Sequence, residues 1–165
     1  MDAKPLLLEV VRAIAAVDLQ AVLIGNAAAA LHGAPVTTVD FDFLFRKTSR
    51  NLAKLKAIGR ALGAVVLRPY YPASDLYRIV RDDDGLQVDF MATIHGIRSF
   101  EGLRDRAETI EIEGVPLLLA SLSDVIRSKR AARRPRDRAV LDVLERTLEE
   151  APRPKSTARR RRPRE

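Results

Sequence analysis

The chain has 165 residues, 47% hydrophobic and 31% charged, without a single cysteine. That is about one domain of sequence with room for one sizeable core, so a multidomain machine, a disulfide framework, a thiolate nucleophile and a cysteine-ligated zinc are excluded. The net charge of +7 is local: residues 151–165 hold seven Lys/Arg against Glu165, and residues 127–138 hold seven against Asp137.

In chain order, Leu6, Leu7, Val10, Val11, Ile14 and Val17 recur at three- and four-residue steps and predict an amphipathic helix over 5–17. Glu9 and Arg12 interrupt its apolar start, and no apolar run approaches the ~20 residues of a spanning helix. A cytoplasmic chain without membrane insertion is expected. A short strand, Ala21 to Ile24, is broken by Gly25-Asn26. Ala27 to Leu31 then favours helix, ended by Gly33 and Pro35. Thr38 to Phe45 alternates polar with apolar side chains and is the clearest strand. Residues 49–63 return to helix, with Ser49 as N-cap and Gly63 as stop.

Val65 to Leu67 and Leu76 to Val80 predict strands on either side of a loop marked by Pro69 and Pro72. Asp82-Asp83-Asp84-Gly85 has turn chemistry and makes an antiparallel hairpin of Tyr77 to Val80 with Leu86 to Met91. A second hairpin joins Ile110 to Ile112 with Val115 to Leu119. Ser121 to Ala132, capped by Ser121, and Arg136 to Glu150 are the closing helices. The expectation is an α/β (α+β) fold: a mixed sheet flanked by helices over residues 1–150, with C-terminal helices and a basic, disordered tail over 151–165.

Asp40 and Asp42 are two apart in a strand, so both carboxylates share one face while Val39, Phe41 and Phe43 take the other. At a separation of ~6 to 7 Å along the strand, the like charges raise each other's pKa unless a cation intervenes. Mg²⁺, bound by one or two carboxylates together with substrate phosphates, is the simplest neutraliser. Asp89 repeats the local pattern Val-Asp-Phe in Val88-Asp89-Phe90. If its strand neighbours that of Asp40 and Asp42 in register, three carboxylates complete a two-metal site for phosphoryl chemistry. The enzymatic reading hangs on that site, which requires Asp89 to face the other two and no salt bridge to occupy the spot already. The bland alternative is a solvated face of an edge strand.

Leu23-Ile24-Gly25-Asn26-Ala27 through Gly33, followed by Thr37-Thr38-Val39-Asp40-Phe41-Asp42-Phe43, resembles the nucleotidyltransferase fold of the DNA polymerase β type, especially small bacterial AbiEii-like and toxin-antitoxin members. Their pattern is a glycine turn after a strand, a short helix, Asp-x-Asp on the next strand and a later third Asp. Leu122 to Lys129 and Arg134-Pro135-Arg136-Asp137 resemble that group's closing helices. The resemblance implies a sheet of that type and transfer of a nucleoside monophosphate from an NTP to a hydroxyl of RNA, protein or a small molecule. It places Asp40 and Asp42 on Mg²⁺, and gives Asp89 the second ion or the acceptor's proton. Gly25 and Asn26 would receive phosphates, and Lys129 with Arg133 or Arg134 would neutralise them.

Asn26 stands where Ser or Gly is usual and Val36 where many relatives carry arginine. A catalytically silent antitoxin or regulatory module gripping a partner protein is therefore the second reading, and an RNA binder using the basic segments the third. Among the remaining residues, His32 and His95 are expected to cap or pack. Tyr70, Tyr71 and Tyr77 are expected to pack a loop, with base stacking as the alternative.

Overall fold

In the computed structural model, which describes residues 3–67 and 75–152, a helix α1 (Lys4–Ala16) precedes β1 (Ala21–Ile24) and α2 (Gly25–Leu31). Then come β2 (Asp40–Phe45), α3 (Ser49–Ala61), β3 (Val65–Leu67), β4 (Leu76–Arg81) and β5 (Leu86–Met91). The chain continues through α4 (Phe100–Arg106), β6 (Glu108–Ile112), β7 (Val115–Leu119), α5 (Leu122–Ala132) and α6 (Pro135–Glu150). Tyr70, Tyr71, the loop of Pro69 and Pro72, and the basic tail from residue 153 onward lie outside the described residues.

Among the described residues, seven strands form one mixed sheet in the order β3-β4-β5-β2-β1-β7-β6. β2 runs antiparallel to β1 and parallel to β5, and β1 runs parallel to β7. β1 lies inside this order and all four of its residues are buried. An internal strand covered on both faces reads as a continuous apolar run, which is what Ala-Val-Leu-Ile is.

Strand alternation sets the two faces of β2. Phe41, Phe43 and Phe45 enter the core, where Phe43 stacks on Phe90 at 5.3 Å between ring centroids and Phe45 meets Phe90 and Tyr77 edge-on. Tyr77 is thus a packing residue. The opposite face carries Asp40 and Asp42. The aromatic layer fixes the strand's register, because a slip by one residue would bury the carboxylates and expose the rings.

Three local details differ from the sequence expectation. Thr48, not Ser49, caps α3: its hydroxyl accepts the Asn51 N–H at 3.1 Å. β2 begins at Asp40 rather than Thr38, and the Thr38 hydroxyl donates to the Asp40 carbonyl at 2.8 Å just ahead of the strand. The helix α4 has no counterpart in the expectation. Ser99 caps it by accepting the Gly102 N–H, and Phe100 and Leu103 are its buried side chains. Among the described residues no helix is long and apolar enough to cross a membrane.

Candidate active site

β1 passes into α2 with no intervening residue, and Ile24 is the register partner of Asp42 on β2. Gly25 therefore starts α2 directly against the Asp42 carboxylate. Its φ of +69° lies in the left-handed region, and a Cβ there would stand 2.5 Å from Oδ2 of Asp42. Only glycine satisfies both constraints without strain.

Across the sheet, Asp42 pairs in register with Asp89 on β5, and Asp89 with Arg78 on β4. These three side chains form one row on the same face. The first sequence condition is met, since Asp89 faces the same way as Asp40 and Asp42. The second is not. Arg78 Nε donates to Oδ1 of Asp89 and Nη2 to Oδ2, each at 2.8 Å, so a guanidinium fork holds both carboxylate oxygens. Among the described residues no three Asp, Glu or His side chains come together to hold one ion. The convergence of three carboxylates on metal is corrected accordingly: Asp89 is turned to a cation supplied by the neighbouring strand.

A cavity of about 590 Å³ opens over this row, lined among others by Gly25, Asn26, Asp40, Asp42, Lys129 and Arg136. His95 and Arg134 also line it. Two of its cations are already paired: Arg78 with Asp89, and Lys129 with the buried Asp137 at 3.2 Å. Lys129 therefore reaches the cavity as half of an ion pair. Asp40 and Asp42 have no side-chain ion pair among the described residues, and neither do Arg134, the N-cap of α6, and Arg136 in its first turn. Arg133 is not brought to this cavity. It is the left-handed C-cap of α5, at φ 55°, and lines a separate groove between α5 and α6.

Burial pushes the Asp42 carboxyl up to about 6, and the charges of Asp89 and Asp40 push the same way against the weaker pull of Lys129 and Arg136. The pair Asp40 and Asp42 is thus an under-compensated negative site. Beside it, Oδ1 of Asn26 is buried with no hydrogen-bond partner, an acceptor left for a donor that a ligand or its bound water brings. Two carboxylates and a free acceptor fit a hydrated hard divalent cation. Asp89 does not offer a third ligand in this arrangement.

Sequence reasoning missed Arg78 and left Arg136 out of the site. The register from Arg81 opposite Leu86 puts Arg78 opposite Asp89, so the recognised hairpin already contained that signal. His32 is structural: its Nε2 lies 2.8 Å from the Ala120 carbonyl and ties the end of α2 to the residue after β7. Asp84 takes an Arg81 fork inside the hairpin turn, consistent with turn chemistry rather than metal binding.

Several solved structures share this fold. The antibiotic-resistance factor ANT(2'')-Ia superposes with a TM-score of 0.63 at 16% identity, over 90% of this chain and 86% of that one. A lincomycin-bound lincosamide antibiotic adenylyltransferase gives 0.61 at 10% identity, over 88% and 96%. An antigenic nucleotidyltransferase-like protein from Paracoccidioides brasiliensis gives 0.58 at 13%, over 88% and 75%. At these identities the likeness is one of fold. No protein of curated function matches in sequence. The sequence model of the family described as "Nucleotidyl transferase of unknown function (DUF2204)" matches residues 3–161, and the chain belongs to that family of nucleotidyltransferases.

Proposed function

We propose that this nucleotidyltransferase binds an NTP as its Mg²⁺ complex and transfers the nucleoside monophosphate to a hydroxyl acceptor. One observation carries the reading: a single cavity is lined both by the carboxylates Asp40 and Asp42 of β2 and by the guanidiniums of Arg134, the N-cap of α6, and Arg136 in its first turn, none of them in an ion pair among the described residues. A metal–polyphosphate complex has that polarity, cationic at the ion and anionic along the phosphates.

In this reading Asp40 and Asp42 hold the divalent ion, which when bound polarises the phosphoryl group under attack. Arg134 and Arg136 bind the phosphate oxygens and orient the chain. The Gly25-Asn26 turn, where the backbone can approach closely for want of a Cβ, receives the phosphate nearest the ion. Lys129, fixed by Asp137, adds positive potential from the side of α5 without forming a direct contact. Asp89 lies beside Asp42 as a held carboxylate facing the cavity. The adenylylated tobramycin bound to one structural neighbour and the adenylyltransferase name of another support ATP as the first nucleotide to try.

The test is equilibrium binding of each labelled NTP with and without Mg²⁺, using wild type, Asp40→Ala and Asp42→Ala. Metal-dependent binding of at least one NTP, lost in both variants, is expected. Binding that ignores metal and both substitutions overturns the reading.

A further inference from the structure

We infer that Arg78 is a built-in counter-ion for Asp89 that limits this site to one divalent cation, held by Asp40 and Asp42. The inference rests on the metal reading above and adds a residue and a stoichiometry to it.

The strand register places Arg78 directly opposite Asp89 in the antiparallel β4–β5 pair, so the contact does not depend on a mobile loop. The side chain of Asp89 is only 9% exposed and its two oxygens accept separate guanidinium N–H groups. The Gln87 amide nitrogen stands a further 3.4 Å from Oδ2. A carboxylate whose oxygens are both engaged by a fork has few lone pairs left for an ion.

Charge leads to the same count. Asp40, Asp42 and Asp89 together carry three negative charges, which one divalent ion leaves uncompensated. With Arg78 in the row the sum falls to two, matched by a single divalent ion. A second ion, roughly 4 Å from the first as two-metal chemistry requires, would have to displace a guanidinium and then sit beside it. Arg78 touches Asp89 rather than any reacting group, so its part is positioning.

The experiment titrates Mn²⁺ alone into the full chain and reads free Mn²⁺ by electron paramagnetic resonance, with thermal melts confirming that each variant is folded. Wild type should bind one Mn²⁺ per chain, Arg78→Met two, and Asp89→Asn still one. Two ions on wild type, no gain in a folded Arg78→Met, or loss of the ion in Asp89→Asn each overturns the inference. Should Arg78→Met not fold, the wild-type and Asp89→Asn counts decide by themselves. Failure of the underlying metal reading shows differently: wild type binds no Mn²⁺, or Asp42→Asn leaves its count unchanged, and the inference falls with it.

Discussion

Gly25 and Asp42 are packed so closely that the methyl group of an alanine at position 25 would stand 2.5 Å from Oδ2 of the aspartate. Gly25→Ala thus combines a left-handed backbone with a displaced carboxylate and should cost on the order of 3 kcal/mol. Gly63→Ala is the matched control. Its φ is +61° with nothing within 4 Å of the added atom, so only the backbone cost of about 1 kcal/mol applies. Urea melts should separate the two, and Mn²⁺ binding should be lost in the first alone.

Asp42 makes stability depend on pH in a defined direction. Burial pushes its folded carboxyl up to about 6 from an ordinary value of 3.8, so between these values the folded chain binds the proton more tightly. Its contribution to stability is full below pH 4 and is lost as pH rises through 6. Without metal, Asp42→Asn should stabilise the chain at pH 7 by on the order of 2 kcal/mol, and the advantage should vanish by pH 4. Melting temperatures of both proteins across that range check the sign. A stabilisation that grows on acidification contradicts it.

The Lys129–Asp137 pair joins α5 to α6, with side chains only 12% and 10% exposed. Lys129→Met leaves Asp137 buried and alone, at a cost of about 3 kcal/mol. The double variant Lys129→Met with Asp137→Leu should recover most of that loss in a denaturant melt. Nucleotide affinity should change little in the double variant, because one positive and one negative charge leave the cavity together and Arg134 and Arg136 remain.

Asp124 is 3% exposed and accepts both arms of an Arg106 fork at 3.0 Å, together with the Arg127 guanidinium and the Ser121 hydroxyl. It ties α4 to the start of α5. Asp124→Ala removes the acceptor for all three and should destabilise by about 3 kcal/mol. Hydrogen exchange should rise first in residues 100–106, ahead of β2 and β5.

β2 was legible because Asp40 to Phe43 alternates so strictly that both its face and the company of Asp42 follow from the spacing, and β1 because its four residues are one apolar run. The position of Asp89 beside Asp42 was legible too, as a conditional on neighbouring strands. The helix α4 was not, since seven residues with only Phe100 and Leu103 buried give too short a stripe for periodicity to register. Its markers were chemical instead: Ser99 at the cap, Glu101 in the first turn, Arg104 and Arg106 in the last. Arg78 escaped because an arginine on a half-exposed strand reads as a solvated charge until its cross-strand partner is identified. Arg133 was misplaced for a related reason. Within a run of cations the sequence does not say which one ends a helix, and the left-handed backbone at that position turns its side chain to the other side of the helix pair.

The direct passage of β1 into α2 has a thermodynamic consequence. Val22 and Leu23 before the turn, and Ala28 and Ala29 after it, are completely buried, so the intervening backbone is already frozen by the core. A flexible phosphate loop gives up ~1 to 2 kcal/mol of chain entropy for every residue it must order around its guest. At Gly25 and Asn26 that cost falls on folding instead, so on the proposed reading a triphosphate reaching this corner would meet amides with no disorder left to lose.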